Sequence, residues 1–128
     1  MSKDELFGRA DVVSVHLVLS DRTRGLVGEP ELRLMKPTAF LVNTSRGPIC
    51  DEEALARACA EGRIAGAGLD AYGTEPLPAD HPFRHLPNVI ATPHIGYVSE
   101  RVYRGFFTDI VDDIVAYLDG NPRRVVEP

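Results

Sequence analysis

The stretch Ala39–Asp70, AFLVNTSRGPICDEEALARACAEGRIAGAGLD, carries the pattern that decides the fold. Ala39 to Asn43 is a short apolar run entered after Lys36-Pro37, and it reads as a strand. Asp51 then offers a side-chain oxygen to cap a helix. Glu52 and Glu53 sit where the positive helix end favours carboxylates, and Gly62 follows the last turn as a stop. The spacing predicts a helix over 52–61. Ile64 to Asp70 returns to small and apolar residues and reads as the next strand. Strand, capped helix and strand in succession are the rhythm of an α/β protein.

Working outward, Asp11 to Leu19 reads as an earlier strand, Glu29 to Met35 as a short helix and Asn88 to Ala91 as a fourth strand. The segment before that fourth strand holds Pro76, Pro78, Pro82 and Pro87, which no helix could cross. From Ser99 to Asp119 the apolar residues Val102, Phe106, Ile110, Ile114 and Leu118 recur every four positions, giving a long helix with one oily face that Gly120-Asn121-Pro122 ends. No repeat, low-complexity tract or linker interrupts the chain, so residues 1–128 read as one domain without an internal boundary.

Composition narrows the function classes. A chain of 128 residues with 44% hydrophobic and 26% charged content suits one soluble globular domain. Fourteen basic against nineteen acidic residues leave a net charge of −5, which argues against nucleic acid as a partner. The apolar runs are too short to span a bilayer, and Met1 is followed by charged Lys3, Asp4 and Glu5 rather than a signal core. A cytoplasmic protein without a membrane partner is expected. The KDEL string at Lys3 to Leu6 lies at the wrong end for a retention signal, and the sequon Asn43-Thr44-Ser45 closes a strand; both are coincidental.

Cys50 and Cys59 lie along a mostly helical segment about 13 Å apart at 1.5 Å per residue, beyond disulfide reach, so free thiols are expected. Cys50 is close enough to Arg46 in sequence for an activated thiol to be weighed, but packing is the expected role. His81 and His85 share an i, i+4 spacing that would need a helix, and Pro82 lies between them; no metal site is expected. Gly66-Ala67-Gly68-Leu69-Asp70-Ala71 fits the dinucleotide fingerprint, yet Gly73, Pro76 and Pro78 prevent the helix that must follow. These small residues read instead as a strand packed closely against its surroundings.

Arg46, Asp70, Glu75 and His94 each fall where an apolar segment gives way to a loop. In an open parallel sheet, loops leaving the carboxyl ends of neighbouring strands share one crevice, so these side chains are expected to meet there. Each has a duller alternative. Arg46 could form a surface ion pair with Glu52 or Glu53, worth about 0 to 1 kcal/mol, His94 could be a satisfied strand-end histidine, and Asp70 and Glu75 could be turn formers.

Three ordered segments, NTSRGPICDEEAL (Asn43 to Leu55), GLDAYGTEPLP (Gly68 to Pro78) and NVIATPHIG (Asn88 to Gly96), resemble the signature segments of D-isomer-specific 2-hydroxyacid dehydrogenases. The resemblance covers nearly the whole chain and corresponds to the C-terminal portion of such an enzyme. It implies an α/β, Rossmann-like parallel sheet with covering helices, incomplete, being the second half of a nucleotide-binding domain. Residues 1–128 are then part of an NAD(P)-binding domain. The substrate domain and the Gly-rich first half have no counterpart in the chain.

The resemblance implies NAD or NADP as cofactor, a small 2-keto or 2-hydroxy acid as substrate, and hydride transfer between them. His94 becomes the acid/base, Glu75 its carboxylate partner, and Arg46 the anchor for the substrate carboxylate, because a planar fork of donors makes paired charge-assisted bonds. Asp70 resembles the carboxylate that binds the nicotinamide carboxamide. Thr44, Ser45, Arg46 and the His94-Ile95-Gly96-Tyr97 segment resemble positions lining the same half of the cofactor. Pro93 restricts Thr92 to extended backbone, which helps aim His94. The chain departs from the family pattern at Val18, where a Pro commonly stands two residues after the His at position 16, and at Tyr97, where a small residue is common. The choice between NAD and NADP depends on a strand with no counterpart here.

A second expectation belongs to another class: a catalytically silent truncated fragment or self-associating interaction module. In the family the last helix packs toward the substrate domain. Alone, Val102, Phe106, Ile110 and Ile114 would form an exposed patch, and a homo-oligomer would cover it.

Overall fold

Four short strands lie side by side in chain order, all parallel: β1 (Val12–Val15), β2 (Phe40–Asn43), β3 (Gly66–Leu69) and β4 (Val89–Ala91). In this computed structural model, which describes residues 1–126, the helices are α1 (Lys3–Arg9), α2 (Glu29–Leu34), α3 (Glu52–Ala60) and α4 (Glu100–Leu118). Single 3₁₀ turns occupy Gly47–Ile49 and Pro82–Arg84. The α/β Rossmann-like parallel architecture expected from the sequence is therefore present.

Asp51 caps α3 by accepting from the Ala54 amide at 3.0 Å, as the sequence predicts, and Gly62 follows the helix with φ +66°. The strands are shorter than the apolar runs suggest. β2 ends at Asn43, whose register partners are Val15 and Leu69, and the last backbone bond of the β2–β3 ladder runs from the Asp70 amide to the Asn43 carbonyl at 3.0 Å. Pairing, rather than hydrophobicity, sets these ends.

α1 has no counterpart among the sequence expectations. The Ser2 hydroxyl accepts from the Glu5 amide at 3.1 Å and the Glu5 carboxylate accepts from the Ser2 amide at 2.8 Å, a reciprocal cap legible as S-x-x-E. Phe7 buries the inner face, and Lys3 bridges to Glu31 on α2 at 2.5 Å.

The core forms on one face of the sheet. Val13, Val15 and Leu41 are buried with Leu32 of α2 and Ala54, Leu55, Ala58 and Cys59 of α3, whereas Val12 and Phe40 on the opposite face stay 58% and 48% exposed. That alternation is the period of a strand with one covered face.

The sequence suggests no internal boundary, but the structure divides into two compact units, Met1–Ile95 and Gly96–Pro128. The second is built on α4, capped by Ser99, which accepts from the Val102 amide. Within it Arg124 bonds Asp113 at 2.6 Å and Asp109 at 2.8 Å. The periodicity that predicts α4 is real, and the helix has no buried residue.

Leu41 is fully buried on a central strand. Leu41→Ala is expected to remove about 2–5 kcal/mol, a large share of an ordinary domain stability of about 5–15 kcal/mol. A urea midpoint equal to that of the wild type would contradict this account of the core.

Candidate active site

Parallel register carries Asn43, Leu69 and Ala91 to one edge of the sheet, so the segments that follow them emerge together. Each is then shaped by its own hydrogen bonds. After β2, the buried Asn43 amide donates to the Arg46 carbonyl at 3.0 Å and accepts from the Ser45 amide at 3.1 Å, turning the chain sharply. Ser45 Oγ donates to the Val15 carbonyl at 2.8 Å, tying the turn to β1. Thr44 and Arg46 are exposed, and Arg46 Nη1 donates to the Ser45 carbonyl at 2.7 Å. The surface pair with Glu52 or Glu53 is not the arrangement found, since Glu53 bonds Arg57 and Glu52 accepts from the Gly73 amide.

After β3, Asp70 is 6% exposed, and its Oδ1 accepts from Thr92 Oγ1 at 2.5 Å and from the Ile95 amide at 2.9 Å. The carboxylate thus joins the β3 end to both sides of Pro93-His94. The Tyr72 hydroxyl is shared between the Leu69 carbonyl at 3.0 Å and the Thr92 carbonyl at 2.9 Å, closing the same seam. Burial pushes the Tyr72 phenol above its ordinary acidity range, and the neighbouring Asp70 charge adds to this.

Glu75 folds back on its own loop. Oε1 accepts from the Tyr72 amide at 2.9 Å, and Oε2 lies 2.8 Å from His94 Nδ1. The Tyr72 amide first, then His94 and the Arg46 charge, hold the Glu75 carboxyl below its ordinary value. An ionised carboxylate only accepts, so the proton in this bond belongs to His94 Nδ1, leaving Nε2 as the nitrogen whose protonation can change. His94 stands at φ +56°, an uncommon backbone for a residue with a Cβ, and its amide donates to the Thr92 carbonyl at 3.0 Å.

A cavity of about 670 Å³ in the first unit has Tyr72, Glu75, Leu77, Phe83, Thr92 and His94 among its walls. Glu75 and His94 therefore share it as expected, but Arg46 and Asp70 do not line it. Asp70 is covered by its bonds to Thr92 and Ile95, and Arg46 leaves a separate, exposed turn. Ile95 closes the first unit and contributes its amide, whereas Gly96 and Tyr97 belong to the second unit.

Both cysteines are buried free thiols, Cys50 pushed up to about 12 and Cys59 to about 11, in each case chiefly by burial. Cys50 is therefore a packing residue. His16 Nε2 lies 2.8 Å from the Ser14 hydroxyl, and His81 Nδ1 accepts from the Phe83 amide at 3.3 Å. Sequence reasoning passes over Asn43, Tyr72, Thr92 and Glu52 as organisers of the site. A polar amide at the end of an apolar strand is the visible signal for Asn43; Thr92 and Glu52 bond partners 22 and 21 positions away, and Tyr72 reaches Thr92 across 20.

The family model for the D-isomer specific 2-hydroxyacid dehydrogenase NAD binding domain matches residues 1–96. The chain belongs to this family. It is 42% identical to a glyoxylate reductase of Thermofilum pendens over 91% of this chain and 34% of that protein. It is 42% identical to glyoxylate/hydroxypyruvate reductase B of Pectobacterium carotovorum subsp. carotovorum over 91% of this chain and 37% of that protein. The NAD-complexed D-isomer specific 2-hydroxyacid dehydrogenase of Lactobacillus delbrueckii ssp. bulgaricus superposes with a TM-score of 0.76 at 31% identity, covering 98% of this chain and 42% of that one. The chain thus spans about a third of the length of the curated relatives it matches.

The residues present suit one end of a dinucleotide. A buried carboxylate at a strand end, flanked by a turn of exposed polar residues, is a donor and acceptor set for a carboxamide rather than for a pyrophosphate. Gly66 and Gly68, which mimic the phosphate fingerprint, lie inside β3, paired to β2 and β4, and no helix follows them.

A depressed carboxyl pKa stabilises the folded state above the unfolded pKa and loses that effect as pH falls through the folded value. The urea midpoint of the wild type is expected to exceed that of Glu75→Gln at about pH 5–6. The gap should close as pH drops below the ordinary glutamate value of about 4.3. A gap that widens in acid would contradict the depressed Glu75.

Proposed function

We propose that residues 1–128 form the nicotinamide-facing part of an NAD(P)-binding domain in a D-2-hydroxyacid dehydrogenase, with His94 as acid/base. The observation that carries this reading is the 2.8 Å bond between His94 Nδ1 and Glu75, whose other oxygen is held by the Tyr72 amide. A partnered imidazole keeps one tautomer and one orientation, which a proton donor near neutral pH requires.

When bound, the nicotinamide supplies or accepts the hydride. His94 Nε2 gives the balancing proton to the carbonyl oxygen of a 2-keto acid, or takes it from the 2-hydroxy acid in reverse. Arg46, exposed on its turn, binds the substrate carboxylate through its fork of donors. Asp70 and Ile95, with Thr44 and Ser45, line the carboxamide end of the cofactor. The matched reductases make glyoxylate and hydroxypyruvate the substrates to try, and NAD and NADP are both candidate cofactors. The two buried free thiols suit a cytoplasmic setting, and no described helix is long and apolar enough to cross a membrane.

Fluorescence titration with NADH and NADPH, followed by reduction assays on both acids, tests this. No binding and no turnover would support the silent fragment; where turnover is seen, His94→Ala should lower it by roughly two to four orders of magnitude. A rate unaffected by that change would remove His94 from the chemistry.

One observation favours a second reading, self-association. Phe106, Ile110 and Ile114, in line along α4, are 54%, 51% and 55% exposed. A stripe of this kind is covered most simply by the same stripe of another copy. Sedimentation is expected to give a dimer or larger species that Ile110→Asp returns to monomer; a monomer from the outset would exclude it.

A further inference from the structure

The loop that delivers Glu75 to His94 is gripped from outside. Two successive amides in it, Tyr72 and Gly73, are each held by a carboxylate: Tyr72 by Glu75 Oε1 at 2.9 Å and Gly73 by Glu52 Oε1 at 2.8 Å. Glu52 is the first residue of α3 and lies 21 positions away in sequence. Its backbone is fixed by the Asp51 cap, and its side chain is only 24% exposed, so the carboxylate is presented from a rigid base.

The fit around Gly73 is close. A Cβ there would stand 3.2 Å from Glu52 Oε2, so the carboxylate fills the space a side chain would take. On the same peptide Gly47 approaches so tightly that a Cβ would lie 2.0 Å from the Tyr72 carbonyl carbon and 2.3 Å from the Gly73 nitrogen. Glu52 Oε2 also lies 3.9 Å from His81 Nε2 further along the loop. Gly73, Thr74 and Glu75 are themselves exposed, with little burial to hold them.

We infer that Glu52 is a positioning residue: by accepting from the Gly73 amide it anchors the loop directly after Tyr72, whose own amide takes the Glu75 carboxylate that orients the His94 imidazole. Without that acceptor the loop loses its tether one residue after Tyr72, and the Glu75 carboxylate that closes on the Tyr72 amide is held less firmly against His94. The functional part of this inference rests on the acid/base reading of His94. The positional part does not.

The test is an NMR titration of the Glu75 carboxyl carbon and the His94 ring nitrogens in the whole chain. The groups acting on Glu75 are the Tyr72 amide, His94 and Arg46, none of which is altered in the variants. Glu52→Asp keeps the charge at the helix start but is one methylene too short to reach Gly73. It is expected to raise the Glu75 pKa toward the ordinary glutamate value and to abolish the hydrogen-bond signature at His94 Nδ1. Glu52→Ala should do the same, and the aspartate variant preserves the answer if the alanine variant fails to fold. Glu52→Gln retains an acceptor oxygen and should restore both signals, and Glu53→Ala, which removes only the partner of Arg57, should leave them unchanged.

In the reductase assay the aspartate variant should lower kcat with little change in KM. An unchanged Glu75 titration in Glu52→Asp, or a glutamine variant that behaves like the aspartate one, overturns the inference. Absent turnover with the expected titration shifts would instead remove the acid/base reading and leave the positioning role standing.

Discussion

No side chain fits between the turn after β2 and the loop after β3. A Cβ on Gly47 would fall 2.0 Å from the Tyr72 carbonyl carbon, inside any tolerable contact, so the two backbones touch directly there. This contact brings the residue beside Arg46 against the peptide that precedes Glu75. It joins two segments that the sheet alone would only bring near each other. Cα spacing between paired strands is close to 5 Å, whereas the Gly47 approach removes even the thickness of a methyl group.

Around that contact, three carboxylates act in the same manner. Asp70 takes the Ile95 amide and the Thr92 hydroxyl, Glu75 takes the Tyr72 amide and faces the His94 imidazole, and Glu52 takes the Gly73 amide and faces His81. Each bonds a backbone N–H and approaches a side chain from a different part of the chain. A carboxylate accepts through two oxygens and cannot donate, so it is suited to hold a loop and a side chain at once. Gly73, Thr74 and Glu75 are exposed, and such bonds hold this stretch where packing does not.

The elements were legible wherever a local signal exists. Apolar runs announce the strands, Asp51 and Gly62 bracket α3, and a four-residue period announces α4. Strand lengths were not legible, because β1 and β3 stop where β2 stops and no residue inside them encodes that fact. The division after Ile95 was hidden for a related reason: periodicity shows that a helix has an apolar face, not whether this chain covers it. The closeness of His94 and Glu75 followed from the signature segments, but the roles of Tyr72 and Glu52 depend on partners 20 and 21 positions away. Those partners become neighbours only through the register of the sheet.

That register is set at the opposite edge by the glycine that imitates a phosphate loop. A Cβ on Gly66 would lie 2.2 Å from the Asn88 carbonyl oxygen, so only glycine lets β4 begin where it does. Asn88 is locked there by its side-chain amide, which donates to the Cys59 carbonyl at 3.0 Å and the Ala65 carbonyl at 3.3 Å. With β4 started at that point, Ala67 pairs Val89 and Leu69 pairs Ala91, and Asp70 then meets Thr92 across the strand ends. A slip of one residue would turn Thr92 to the other face and break both its bond to Asp70 and the approach of the Tyr72 hydroxyl. The His94 imidazole, two residues on, would lose its direction toward Glu75. The small residues of Gly66–Gly68 thus serve the site from its far end, by fixing the strand pairing that aims the histidine.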